Sequence, residues 1–533
     1  MTEAPKEKSP LLTVELTTEE ARTLVESLAT DIRRRTVHMR AAIDPKRAAI
    51  LVNFVPRPGF VELRGGYLPF STTGSMPVES LMVWRGPTNE KFYAAMDGHI
   101  YDITSGTASS VVAGLGNDRW QYINFTSGGG VHVIQTVNGT DPLQQYDGSS
   151  WTTPSITGLP GGVTTNNFIN IYAQKQRLWY FPANSTLAIF MPVGAITGPI
   201  SGFQDFGTIW TKGGHIIGMA DWTIDGGSGP QDYAMFISSR GQVALYAGTD
   251  PANANAWSLV GVFDIAPPIG VRCLTRVGSD VAVITQQGVI PISQALPFDP
   301  SADRSVAITA RIQNAMSAAA NLYQQNFGWE FITYPNQQLA LLNIPQSPNI
   351  QQVQFVMNTL TGAWCSFSGW NANTFALFQD NLYFGDNNGN INQAYISLGD
   401  NMNPIAADMQ CAFNWLDEPG KVKRMTMIQP LLTIGQTTTP TLAIDTDFEV
   451  STAVATVSEI IGGSLWNIDL WDSALWAGGN RNYISWLSVD ALGHAMAVRL
   501  RVTINGNVPS VNDILPIFQV NAFNSISELG GAI

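Results

Sequence analysis

The stretch KFYAAMDGHIYDI, residues 91–103, reads strand, turn, strand. Asp97-Gly98 is a dipeptide that supplies the positive φ angles of a tight hairpin, and the flanking residues are β-formers with an apolar bias. The same grammar recurs along the chain. GGVHVIQTVNGTDPLQQYDGSSW (129–151) has turn signals at Asn138-Gly139 and Asp147-Gly148. DYAMFISSRGQVALYAG (232–248) has one at Arg240-Gly241, and GVRCLTRVGSDVAVITQQGVIPIS (270–293) has two, at Gly278-Ser279 and Gln287-Gly288. NTFALFQDNLYFGDNNGNINQAYI (373–396) turns at Asp380-Asn381 and Asn388-Gly389. Such units return at roughly 35–50 residues, the period of propeller blades. A single meander cannot bury both of its faces, whereas a ring of meanders can. The fold expected between residues 80 and 403 is therefore a β-propeller of about six or seven meander blades. A pair of β-sandwiches is the alternative.

Two segments depart from this rhythm. ADRSVAITARIQNAMSAAANLYQQN (302–326) is Ala-rich, and Val306, Ile308, Ile312, Met316 and Leu322 form a helical stripe; it predicts a helical insertion. Near the start, Thr17 and Glu20 have capping-box spacing, and Ala21, Leu24, Val25 and Leu28 share one face of a helix ending near Arg35. Residues 1–40 are read as a helical extension, and 41–79 as an arm joining a platform. After residue 403 the strands lengthen: PTLAIDTDFEV, HAMAVRLRVTI and ILPIFQVNAF predict a β-sandwich-like platform over 404–533. The whole is mainly β with two minor helices.

Composition agrees with a turn-rich β protein. Of 533 residues 45% are apolar and only 13% charged, with 49 Gly and 30 Pro. The polar surface is built from amides and hydroxyls. The net charge is −13, concentrated in the body, while the N-terminal arm is slightly basic. Tight nucleic-acid binding requires clustered Lys and Arg to neutralise phosphates, which an acidic body lacks. The three cysteines, Cys273, Cys365 and Cys411, are too far apart in sequence to form a CxxC metal site and too few for a disulfide framework. Free buried thiols in a reducing cytoplasm are expected. No apolar run approaches the ~18 residues that suggest a membrane span.

The search for chemistry finds little. The five histidines, His38, His99, His132, His215 and His494, have no metal-pairing spacing. Neither a GxSxG elbow nor a Walker loop occurs. GDNNGNIN (385–392) has the alternate Asp and Asn of a calcium loop, but Ile391 stands where Gly is needed and Ser397 where Glu is needed, so a hairpin turn is expected. Asp221, Asp225, Asp232 and Asp264 are candidates for the paired carboxylates of a glycosidase. Trp120, Trp151, Trp179, Trp222, Trp257, Trp364 and Trp370 are read as packing between modules rather than as sugar platforms. No catalytic, cofactor-binding or metal-binding residue is assigned, and no enzyme activity is expected.

One segment has another kind of signal. AAIDPKRAAILVNFVPRPGFVELRGGY (41–67) resembles the N-terminal signature of tail structural proteins of short-tailed bacteriophages, through Asp44, Pro45, Ala48, Leu51, Asn53, Pro56, Val61, Leu63, Arg64, Gly66 and Tyr67. MNTLTGAWCSFSGWNA (357–372) and AFNWLDEPGKVKRMTMIQP (412–430) resemble two later segments of the same family, in the same order. The family is the tail nozzle, or tail tubular protein B. The resemblance implies a virion protein assembled in the host bacterial cytoplasm and working in the viral tail. It implies a homohexamer: a ring that continues the DNA-ejection channel below the portal. The implied partners are a tail adaptor or head-to-tail connector, tail fibre or needle proteins, and double-stranded DNA in transit, without membrane insertion and without a cofactor. Asn53, Pro56, Val61, Leu63, Arg64, Tyr67 and Arg424 are the residues it marks for assembly or for the platform. The competing expectations are a carbohydrate-binding or glycan-cleaving propeller, such as a receptor-binding protein, and a tail fibre scaffold without a channel.

Overall fold

A computed structural model describes residues 48–225, 230–278, 280–295, 306–347, 350–416, 420–435, 438–451, 454–456, 481–504 and 518–529. The expected helix at 17–35, and Asp44 and Pro45, lie outside them. The described chain is mainly β. It forms one sheet of nine strands, one of six, five of four strands, one of three and one of two.

Most of the small sheets are antiparallel meanders of the predicted kind; the two-stranded one, Ile156–Thr157 with Gly198–Pro199, is parallel. Glu90–Met96 and His99–Asp102 pair around Asp97-Gly98, where both residues take positive φ, 51° and 71°. His132–Val137 pairs with Gln144–Tyr146, and Pro230–Ser238 with Gln242–Gly248. One turn falls a residue earlier than expected: Gln379 and Asp380, at φ 49° and 61°, form the corner before Asn381. Another was not signalled by glycine at all. Lys175 and Gln176, at φ 45° and 58°, join Phe168–Gln174 to Arg177–Pro182.

The propeller expectation is corrected. No sheet among the described residues closes on itself, and the sheets are unequal, from two strands to nine. The strands Glu330–Tyr334, Leu339–Ser347, Gln351–Asn358 and Trp364–Phe367 do not form a separate blade. They continue through β1 (Ala48–Val52) into Ile405–Cys411, Met496–Ile504 and Thr441–Thr446. That nine-stranded sheet therefore runs across residue 403. Hairpin rhythm records which neighbouring strands pair; it does not specify how successive meanders are joined. The picture of a tail tube walled by such blades falls with the propeller. What forms is a set of small, mostly antiparallel sheets beside two large ones, with few helices.

The N-terminal strands stitch this set together. β1 lies between Trp364–Phe367, to which it is parallel, and Ile405–Cys411, to which it is antiparallel. β2 (Phe54–Arg57) and β3 (Phe60–Leu63) form a hairpin at the edge of the six-stranded sheet, with Phe518–Leu529 beyond them. β4 (Gly66–Thr72) is the fourth strand of the sheet Ala372–Phe378, Asn381–Asp386, Asn390–Ser397. The nine- and six-stranded sheets share a core that includes Phe54, Met409, Met425, Ile428, Leu432, Leu442, Leu500 and Phe518. In the 302–326 segment an α-helix spans Gln313–Tyr323 after a 3-10 turn at Ile308–Ile312. Its buried face is Met316, Ala319 and Ala320. Leu322, expected on that stripe, is 70% exposed.

Candidate functional site

Among the described residues, two places join buried charge to the marked residues or to a cavity. The first is built from the segments that drew the family resemblance. Asn53 takes a left-handed φ of 60°, a conformation that Asn tolerates better than most residues. This corner lets the chain leave one large sheet at β1 and enter the other at β2. The Asn53 side chain donates from Nδ2 to the Ala406 carbonyl at 2.8 Å and to Ser368 Oγ at 3.0 Å. Its Oδ1 accepts from the Ser368 backbone N–H at 2.9 Å and from Arg64 Nε at 2.8 Å.

Arg64 is buried, with its side chain 0% exposed. Nη1 and Nη2 donate to the two carboxylate oxygens of Asp400 at 2.8 and 2.6 Å. Nη2 also donates to the Ser368 carbonyl at 2.6 Å, and Nη1 to that of Gly65 at 3.1 Å. The guanidinium lies over the rings of Trp370 and Phe367, 5.2 and 5.5 Å from their centroids. A planar fork with five donors suits this bidentate, stacked arrangement, and Lys does not. Gly369 is required beside it, because a Cβ there would stand 2.5 Å from Asp400 Oδ2 at a φ of 97°.

The other marked residues divide. Pro56 sits in an edge strand, where a missing N–H costs nothing, and its carbonyl accepts from buried Asn358 Nδ2 at 2.9 Å. Val61 and Leu63 are half-buried against the core shared by the large sheets. Tyr67 packs edge-on against Phe384, with centroids 5.0 Å apart. Burial, followed by the nearby Asp400 carboxylate, pushes its phenol up to about 12. Thus Asn53, Arg64 and Tyr67 gather around Asp400 and the 366–370 segment. Arg424 lies elsewhere, exposed and paired with exposed Asp490 at 2.9 Å. Its neighbour Lys423 is the buried one, donating to the carbonyls of Lys421 and His494. Sequence reading missed Asp400; Asn358 and Lys423 lie in the resembling segments but were not marked for a role. Only the Lys–Arg order in KVKR hinted at the last.

The second place is a cavity of about 420 Å³ whose wall includes Arg85, Tyr122, Tyr172, Asp221, Arg272, Thr275, Glu330 and Thr374. Strands from seven different sheets supply it. Arg272 Nη2 donates to Ser80 Oγ at 2.7 Å and to the carbonyls of Glu79 and Trp120 at 3.1 and 3.2 Å. Its Nη1 is 3.7 Å from Glu330 Oε2, which accepts from the Phe375 backbone at 3.2 Å. Burial pulls the Arg272 guanidinium down and pushes the Glu330 carboxyl up, each opposed by the other's charge. Burial also lifts Asp221 to about 6.

Of the proposed glycosidase carboxylates, Asp221 lines this cavity. Asp232 accepts from Thr223 Oγ1 at 2.8 Å, and Asp264 pairs with Lys212 at 2.9 Å and with Gln242 at 3.1 Å. Trp120, Trp179, Trp222, Trp257, Trp364 and Trp370 are buried, so their faces are packed by protein. In GDNNGNIN, Asp386 accepts from the backbone of Asn388 and Asn390 and from the side chains of Asn390 and Asn392, which makes it the hinge of a hairpin. Among the described residues no three His, Cys, Asp or Glu side chains are grouped to hold a metal ion, and no helix is long and apolar enough to cross a membrane. Cys273 and Cys365 are buried and unbonded, and Cys411 is half-buried. Burial pushes the Cys273 and Cys411 thiols up to about 12 and about 11.

No protein-family profile and no curated protein matches the chain. Solved structures resemble it weakly. BBS1N, crystallised in complex with ARL6DN, aligns with a TM-score of 0.39 at 11% identity, over 62% of this chain and 97% of that one. The extracellular domain of a hybrid two-component system from B. thetaiotaomicron gives 0.39 at 10%, over 80% of this chain and 56% of its own. Chaetomium thermophilum Raptor gives 0.39 at 8%, over 62% of this chain and 29% of its own.

Proposed function

We propose that the chain is a structural subunit of the short tail of a bacteriophage, contributing to a nozzle ring below the portal and adaptor. The observation that carries this reading is the place of the resembling residues. Asn53 and Arg64, from the first segment, bond directly to Ser368 beside Trp370, from the second. Pro56, from the first, bonds to Asn358, also from the second. These residues serve architecture: they bind the N-terminal strands to strands more than 300 positions later. A signature whose members hold two large sheets together is what a load-carrying part needs, and it does not require turnover of a substrate.

Charge supports the same reading. A net of −13 per subunit multiplies with copy number, and an acidic, amide-rich surface repels phosphate, whereas a basic one would grip it. The ring is proposed to contain six copies, and to meet an adaptor above and fibres or a needle below. It would be built in the bacterial cytoplasm and carried in the virion tail. Electron cryomicroscopy of tails, together with the mass of the purified protein with and without the upstream adaptor, tests it. A six-copy mass on the adaptor is expected. A monomer under both conditions overturns the ring.

A further inference from the structure

Among the described residues the six-stranded sheet ends in two long edges without a further partner strand. Lys423–Ile434 is its central strand. On one side it pairs with Phe518–Leu529, and on the other with Leu487–Gly493 and Arg481–Ile484. β3 covers Phe518–Leu529 only at Gln519 and Val520. Among the described residues, 521–529 therefore have no second partner strand, and neither has Leu487–Gly493. The sequences NAFNSISEL and LSVDALG hold no Lys and no Pro, and each carries a single acidic residue, Glu528 and Asp490. Each carries an exposed aliphatic residue, Ile526 at 45% and Leu492 at 66%. A mostly apolar groove of about 1090 Å³ opens beside the first edge, between it and the β2–β3 hairpin. Phe60, Val61, Trp364, Met425, Met496 and Phe523 are part of its wall.

We propose that residues 521–529 of one copy take Leu487–Gly493 of a second copy, so that the sheet continues from subunit to subunit and the neighbour covers the groove. The closing of such contacts into a ring rests on the nozzle reading above. The contact itself rests on the two edges. They lie on opposite sides of one strand and are similar in length, seven and nine residues. Edges that differ from one another make a head-to-tail contact, which closes into a ring if the rotation permits and otherwise grows into a fibre. Both flank Lys423–Ile434 antiparallel to it, so they run parallel to each other. A rotation about an axis along the strands keeps that direction, and the junction is parallel. The register that sets Leu492 beside Ile526 sets Asp490 beside Asn524 and His494 beside Glu528, with no like charges opposed.

Cysteine cross-linking of the full chain tests the contact. Adjacent strands lie about 4.7–4.9 Å apart, within the ~4.4–6.8 Å between Cα atoms that a disulfide spans. Leu492→Cys and Ile526→Cys chains, mixed and oxidised with the adaptor present, should give a disulfide-linked dimer that neither variant gives alone and that the wild type, with its three native cysteines, lacks. Ile526→Glu should reduce the assembled fraction at least tenfold while leaving the melting temperature of the monomer in place. A six-copy mass without the mixed cross-link overturns the edge contact and leaves the ring reading intact. A monomer without cross-link overturns both. Cross-linking within one variant alone overturns the head-to-tail arrangement. Cross-linking that appears only after residues 1–40 are deleted shows that the chain's own N-terminal segment occupies the edge, and overturns the contact in the intact protein.

Discussion

Arg64 shows what a buried charge demands. Its guanidinium is held by a carboxylate, a carboxamide and two carbonyls, and none of these can leave without stranding it. Removing one partner of such a pair costs about 3–5 kcal/mol. Asp400→Ala should lower the unfolding free energy by that amount in urea titrations, and Arg64→Met, which strands the Asp400 carboxylate instead, should be destabilising as well. Asp221 makes a pH prediction. Its folded-state pKa, about 6, stands above its ordinary 3.8, so the folded protein holds this proton where the unfolded chain has released it. Its contribution to stability is thus present below 3.8 and is lost as pH rises to about 6. Asp221→Asn should flatten the pH dependence of the melting temperature across that window and raise stability at neutral pH. A parallel shift of the whole curve would contradict this. Sequence reading marked Asn53 and Arg64 but not their partner Asp400. An acidic residue in SLGDNMN has no local pattern, and only the return of the chain to Gly66 gives it a role.

At the scale of the element, hairpins were the most readable part of the chain, because their chemistry is local. Gly389 combines that chemistry with a close approach. Its φ is 79°, and a Cβ would lie 2.5 Å from the Gly74 carbonyl oxygen. Gly389→Val should therefore cost more than the ~1–3 kcal/mol of the backbone strain alone. Gly59, at φ 86° with nothing within 4 Å, provides the control. Gly59→Ala should cost only about 1 kcal/mol in the same denaturation assay. Equal losses would mean that crowding by Gly74 contributes nothing. The turn at Lys175-Gln176 escaped notice because neither residue favours positive φ. The flanking pairs, Ala173 opposite Leu178 and Gln174 opposite Arg177, are what impose it.

For the molecule as a whole, meander rhythm misled. It suggests closure into a propeller, but the long-range pairings of β1 and β4 set the sheets that form among the described residues. Those pairings join positions hundreds of residues apart, and no window of sequence displays them. Net charge, by contrast, is legible at once and makes a prediction of its own. The full chain should not retard double-stranded DNA in gel-shift assays even at low salt. A shift that fades steeply with added salt would reveal a basic surface.

The stitching of β1 has a consequence for synthesis. Asn53 bonds to a residue 315 positions downstream. At ribosomal speeds of about 5–20 residues per second, the first strands wait roughly 15–60 s before their partners exist. During that interval Leu51, Phe54 and Val55 are exposed to solvent, and a chaperone has time to bind them. Messages truncated before residue 364 should yield insoluble or quickly degraded fragments, and production of this protein should respond more to translation rate and to growth temperature than its final stability would suggest.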